Sequence, residues 1–518
     1  MTVQDNQQTS DKGRVVRRGR EQRRRIRTAT PVIHMPTLVH ETPLYEILDS
    51  EGVELIHDAS MRILEEVGID FRDAEALDIW KNAGADISGQ RVRIDRDLLM
   101  GLISLAPECY TLQGRDPQCT VSVGGRNTIF APTYGSPYVV DLDNQRRYGT
   151  LADLNNFHKL AYLLPSLHVT GAITCEPVDV PVSRRHLHVT YSALKHSTKP
   201  FMGATTARER AEDTVAMARI AFGEDYLKEH TVMTSVLNCN SPLVWDATML
   251  DALKVYARNN QAVLCSPFVM AGASSPASTA GSVAQLNAEA LAGIAFGQLI
   301  QSGSPMVYGH YLATVSMKSG APMAGTPEIS QMNFMTGQLA RRYRLPWRSS
   351  GMVAGSKLND AQAAYESNMT MSAVLLSGAN YVFHAAGWNE AGLSASFSKF
   401  MLDAEQVAMF CKLAAPVDLS DLDECVETIR EVGPGGHFLG TKHTLKNFET
   451  AFFMPELLDN NSYEQWLAEG AEDANTRGLK AARAALDRYE QPAMDPAVDE
   501  ALRDFIARRE RELPETVG

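Results

Sequence analysis

From Thr150 to Gly387 the chain alternates between short apolar runs and longer stretches with helical spacing. The apolar runs 167–177, 200–206, 231–242, 262–272, 305–314, 346–355 and 380–387 read as strands. Helix-patterned segments separate them, and one follows Asn359 and Asp360 as N-cap candidates and stops at Gly378. Several runs are nearly unbroken Val, Ile, Met and Ala, the pattern of strands covered on both faces. Residues 128–135, TIFAPTYG, supply an eighth strand. Eight strand–helix units predict an α/β fold of the (β/α)8 TIM-barrel type. An open doubly wound sheet is the alternative, but Gly124–Gly125–Arg126–Asn127 is not the Gly-rich dinucleotide turn that such a sheet often carries.

The flanks differ in pattern. Residues 36–127 predict a helical and β-rich N-terminal subdomain, with Ile56, Met61, Ile63, Leu64 and Val67 near a 3.6 period and Gly68 as the stop. Residues 128–415 would be the barrel, and 416–518 a C-terminal extension ending in two amphipathic helices. Residues 1–35 are dense in arginine, including Arg14, Arg17, Arg18 and Arg20. They predict a solvated arm, disordered or packed on a neighbouring subunit, with a transit peptide or an acidic-partner or nucleic-acid arm as alternatives.

Charge and cysteine usage narrow the class. A net charge of -13 argues against nucleic acid as the main partner. No unbroken apolar run of about 20 residues is present, so no membrane span is expected. The N-terminus is polar and then basic, unlike a secretory signal. Seven cysteines without a CxxC pair suggest reduced thiols and a cytoplasmic enzyme.

The predicted C-terminal strand ends carry the candidate chemistry. Tyr134, Tyr311 and Trp388 with Glu390 would wall a pocket suited to a bulky cation, because ring faces carry negative potential. The same rings serve equally as rim packing. Glu176, Cys239 and Cys265 form a possible zinc set with an open position, although free cysteine is also a common core residue. His310 and His384 are lone histidines in apolar strands, structural or catalytic. Gly435, Gly436 and His437 lie in a glycine-dense turn where backbone must approach a cofactor, a partner or a neighbouring helix. No GxSxG elbow, P-loop or HExxH is present.

Long strings carry a resemblance. ILEEVGI, GSKLNDAQAAYES, SGANYVFHAAG and GPGGHFLGTKHTLKNF make the chain similar to the trimethylamine methyltransferase family. The resemblance implies a (β/α)8 barrel and methyl transfer from an amine to the corrinoid of a separate partner protein, with no tightly bound cofactor in this chain. Founding members carry pyrrolysine, and Gln362 in AspAlaGlnAla is read as standing in its place. A glutamine amide hydrogen-bonds but forms no imine adduct. The expected substrate is therefore a quaternary amine, glycine betaine first, with proline betaine, carnitine and choline open. Under this reading Gln362, His384 and Glu390 are catalytic, and Tyr134, His310, Tyr311, Trp388 and Asn389 bind substrate. Gly435, Gly436 and His437 would meet the corrinoid, and the chain would be a homo-oligomer. Zinc-assisted methyl transfer and a non-catalytic betaine-binding protein are the rivals.

Overall fold

The computed structural model describes residues 34–513, so the expected basic arm, apart from its last two residues, lies outside the described residues. Seven strands form the parallel part of one large curled sheet: β1 (Asn127–Phe130), β2 (Phe201–Met202), β3 (Met233–Leu237), β4 (Ala262–Cys265), β5 (Met306–Gly309), β6 (Trp347–Ser350) and β7 (Tyr381–Phe383). Their order is β2-β3-β4-β5-β6-β7-β1. Segment 167–171 runs between the two ends of that series. His168 N donates to Phe130 O (2.8 Å), Thr170 N to Pro200 O (2.8 Å), and Met202 N to Gly171 O (3.1 Å). No regular strand forms there, which shortens the run expected at 167–177 to a few ladder bonds.

Two other expected strands are split. The run 262–272 breaks after Cys265 because Pro267 has no N–H to continue a ladder. The run 305–314 breaks at His310. Their second halves, Phe268–Ala271 and Tyr311–Val315, pair in parallel with each other, and Pro322–Met323 joins them antiparallel. This small sheet stands beyond the C-terminal ends of β4 and β5. Strands Cys109–Leu112 and Val121–Gly124, expected in a separate patch, instead extend the main sheet antiparallel beyond β1.

Helices alternate with the parallel strands. The longest, Thr279–Ile300, is buried at every position from Ser282 to Gln298, so it shows no polar stripe. It is also the one helix among the described residues long and apolar enough to cross a membrane, yet 89% of that window is packed inside the fold. A polar relay ties it to its neighbours. Asn287 Nδ2 donates to Ser60 Oγ and to Tyr343 OH (both 2.8 Å), and Tyr308 OH donates to Asn287 Oδ1 (2.9 Å). Gly293 lets Trp245 lie against the helix, since a Cβ there would stand 2.3 Å from the indole.

The two tail helices form as the pattern predicts, at Ala474–Asp487 and Pro496–Glu512. The first packs back on Phe397–Ala414, with Gly478 against Ser398. Between them and the main body the chain is thinly packed: across residues 411–470 Thr428 alone is buried.

Candidate active site

Six rings follow one another at the C-terminal ends of β4, β5, β7 and β1. Phe268 stacks on Tyr311 (4.8 Å, 3°), and Tyr311 meets Trp388 (5.7 Å). Trp388 meets His384 edge-on (3.9 Å), His384 meets Phe383 (4.5 Å), and Phe383 meets Tyr134 (5.6 Å). Local backbone sets these positions. His384 holds a left-handed φ of 54° just past β7, which turns its ring towards Trp388. Trp388 is wedged by its own hairpin, because Gly392 (φ 103°) sits where a Cβ would be 2.5 Å from the indole. Below the turn, Lys399 Nζ donates to Asp403 Oδ2 (2.7 Å), Ser367 Oγ (2.9 Å) and Met352 O (3.2 Å). Asp403 Oδ2 in turn accepts from Gly387 N (2.9 Å). This buried pair clamps the ring-bearing turn to the 352 loop.

Arg348, on β6, lies against this run and is 2% exposed. Its guanidinium donates to Ser266 Oγ (3.0 Å), to His310 O, and to His384 Nε2 (3.2 Å), and it lies 4.8 Å from the Phe383 ring centre. Burial pulls it down to about 9, so it is cationic at neutral pH. The groups that act on it electrostatically are the phenols of Tyr311 and Tyr381, both uncharged at neutral pH; among the described residues no carboxylate does. Buried cations ordinarily have an anionic partner.

Burial and the Arg348 charge hold both histidines well below the ordinary value, His310 at about 3. Because Arg348 can only donate, His384 Nε2 must accept, which leaves its proton on Nδ1. Among the described residues that Nδ1–H finds no partner, and neither do both nitrogens of His310, Arg348 Nε, Ser350 Oγ, Trp388 Nε1 or Asn389 Oδ1. Unmatched buried polar atoms are rare, and four of these residues, Arg348, His310, His384 and Trp388, are joined by direct contacts. The arrangement can bind a molecule with a diffuse cation at one end and an anion at the other. Buried thiols at Cys119, Cys175, Cys239 and Cys265 are all pushed up, so none offers a thiolate nucleophile.

A family model described as trimethylamine methyltransferase (MTTB) matches residues 16–514. The chain belongs to the trimethylamine methyltransferase family. Among relatives in the family, the glycine betaine methyltransferase of Desulfitobacterium hafniense (strain Y51) is 41% identical over 91% of this chain and 99% of its own. The proline betaine:corrinoid methyltransferase of Eubacterium limosum is 27% identical over 90% of this chain and 98% of its own. The crystal structure of the Methanosarcina barkeri monomethylamine methyltransferase MtmB has the same fold at 10% identity, with a TM-score of 0.50 over 87% of this chain and 90% of that one.

Several residues expected to act in this family member are bonded to neighbouring protein groups. Gln362 is exposed in the first turn of the helix after β6 and donates to Glu366 Oε1 (2.9 Å). Glu366 itself accepts from Gly355 N (2.7 Å) and Ser356 N (3.2 Å), so Gln362 braces a loop. Glu390 is already paired bidentately with Arg146 (2.8 and 2.9 Å), which leaves little of its charge for a substrate cation. Asn389 donates to Asn359 Oδ1 (2.8 Å). Tyr134 does join the rings, its phenol pushed up to about 12 by burial. His310, Tyr311, His384 and Trp388 come together as expected.

The zinc set does not assemble. Glu176 pairs with Arg185 (2.8 Å), while the Cys239 thiol donates to Val244 O (3.2 Å). Among the described residues these three form no group of ligand atoms close enough to share an ion. Gly435, Gly436 and His437 lie in an exposed turn. There the backbone closes on its own helix, since a Cβ on Gly436 would lie 2.6 Å from Val432 O. Sequence reasoning missed Arg348, Phe383 and Phe268. The one usable signal for Arg348 was an arginine inside a run otherwise read as buried strand.

Proposed function

We propose that the substrate is a carboxylate-bearing quaternary amine, with glycine betaine the first choice and proline betaine next. The protein is a corrinoid-dependent methyltransferase that takes a methyl group from a quaternary amine and passes it to a partner corrinoid protein. The observation that carries the betaine reading is Arg348, a buried guanidinium with no anion beside it among the described residues, one ring away from an aromatic wall. A betaine supplies both missing charges. Its trimethylammonium head would lie against Tyr311, Trp388 and Phe383, a contact that contributes roughly 2 kcal/mol when desolvated. Its carboxylate would accept from Arg348 and from His384 Nδ1–H.

The partner's corrinoid supplies a reduced-cobalt nucleophile. The residues here fit that division of labour, because they position and dehydrate the substrate and offer no nucleophile of their own. Breaking the C–N bond leaves both electrons on nitrogen and releases a neutral tertiary amine. No proton is needed for that departure, which agrees with two histidines held neutral. We read the large sheet as a (β/α)8 barrel completed by segment 167–171, with the 36–127 subdomain before it and the 416–518 extension after it. The Gly435–His437 turn is read as part of the partner's docking face. Seven unpaired cysteines support a cytoplasmic location, and bare apolar side chains between Leu413 and Leu467 support a homo-oligomer.

Purified protein, a reduced corrinoid partner and a panel of amines test the substrate. Glycine betaine should give dimethylglycine, with choline and trimethylamine demethylated at least a hundredfold more slowly. Choline or trimethylamine turning over as fast as any betaine would overturn the proposal.

A further inference from the structure

Asp421, Cys425 and His443 lie in the C-terminal extension, with one ligand atom from each within 4.8 Å of the others. The helices α1 (Leu422–Val432) and α2 (Lys442–Asn447) carry them. Cys425 follows Asp421 by four residues, so both lie on one helix face and are turned towards His443. His443 Nε2 stands 3.2 Å from Asp421 Oδ2 and 3.5 Å from Cys425 Sγ, and Asn447 Nδ2 is 3.1 Å away. One ring nitrogen cannot satisfy three such neighbours with a single proton. Four-coordinate zinc, with bonds of about 2.0–2.3 Å, separates its ligand atoms by about 3.3–3.6 Å. The observed separations match that spacing.

Two further observations point the same way. Asp421 occupies the N-cap position of α1 yet its carboxylate caps no backbone N–H. Asp49, Asp73, Asp246, Asp360 and Asp473 at other helix starts each do. The carboxylate is therefore turned away from its ordinary local role. In addition, Thr428 is the one buried side chain across residues 411–470, so α1 and α2 have almost no core to hold them together. Segments of this size without a core are commonly held by metals or disulfides.

We propose that Asp421, Cys425 and His443 hold a zinc-class divalent cation that staples α1 to α2, with solvent or the Asn447 amide oxygen in the fourth position. The ion is structural and distant in role from methyl transfer. It is also distinct from the Glu176, Cys239 and Cys265 set, so zinc found in the protein is no sign of zinc-assisted chemistry.

The test uses tag-free full-length protein kept under a non-thiol reductant. Zinc should be present at one equivalent per chain. Cobalt(II) added to the metal-free protein should give a thiolate charge-transfer band and the visible bands of a four-coordinate site. Both should vanish in Cys425→Ser and His443→Ala and persist in Cys239→Ser. Chelation should speed proteolytic cleavage within 416–470 at least tenfold, with no change elsewhere. Absence of zinc and of cobalt bands in the wild type would overturn the proposal. So would metal retained by Cys425→Ser, or cleavage that chelation does not alter. Turnover of betaine is a separate readout, and its failure would bear on the substrate reading alone.

Discussion

Among the described residues Arg348 has no anion beside it, and a buried unpaired cation is a liability to the native state. Arg348→Met should therefore leave the melting temperature unchanged or raise it, while binding suffers. Lost charge-assisted bonds of about 1.5–3 kcal/mol predict a fall of about ten- to a hundredfold or more in kcat/KM for glycine betaine. Demethylation of choline, already slow, should change little. Equal losses for both substrates would deny Arg348 a role with the carboxylate. The histidines give a second test. Both are depressed by burial and the Arg348 charge, so each stays neutral above its lowered folded value, about 3 for His310. A pH profile of kcat/KM between pH 5 and 8 should show no histidine inflection, and one abolished by His384→Gln would contradict the neutral reading. At this scale the sequence was half legible. Tyr134, Tyr311, His384 and Trp388 stand at strand ends and were readable by position. The bonds of Gln362 to Glu366 and of Glu390 to Arg146 were not readable, because helix phase and an ion pair 244 residues away in sequence leave no local mark.

Among the elements, the helix Phe397–Ala414 works as a brace. Its Lys399–Asp403 pair holds the turn that carries His384 and Trp388. Asp403→Ala leaves a buried ammonium without its anion and should destabilise the fold by about 3–5 kcal/mol. Chemical denaturation would read the loss, and a shift under 1 kcal/mol would remove the brace. Gly293→Ala makes a sharper case, because helix propensity favours alanine by about 1 kcal/mol. Here the added methyl would meet Trp245 at 2.3 Å, so net destabilisation is expected instead. Gly297→Ala meets the flexible end of Met306 and should be milder. Elements of this kind were visible as apolar runs with helix between them. The breaks at Pro267 and His310 were not, because apolar periodicity continues through both.

For the whole molecule, the α/β alternation was legible because strands buried on both faces leave unbroken apolar runs. The extension of the sheet by residues 109–124 was hidden, since pairing between distant segments has no local signature. Bare side chains such as Leu413, Val417, Leu439 and Phe452, each at least 77% exposed, exceed what a lone soluble chain commonly presents in one stretch. Sedimentation at micromolar concentration should give a species larger than the 56.8 kDa monomer, and a monomer at all concentrations would remove the oligomer reading. The unpaired guanidinium of Arg348 reaches beyond its own site in one respect. A pocket built to crave a carboxylate cannot refuse short carboxylic acids, so acetate and formate should compete with betaine and raise its apparent KM. Selectivity among amines is thereby gained at the expense of vulnerability to ordinary fermentation acids.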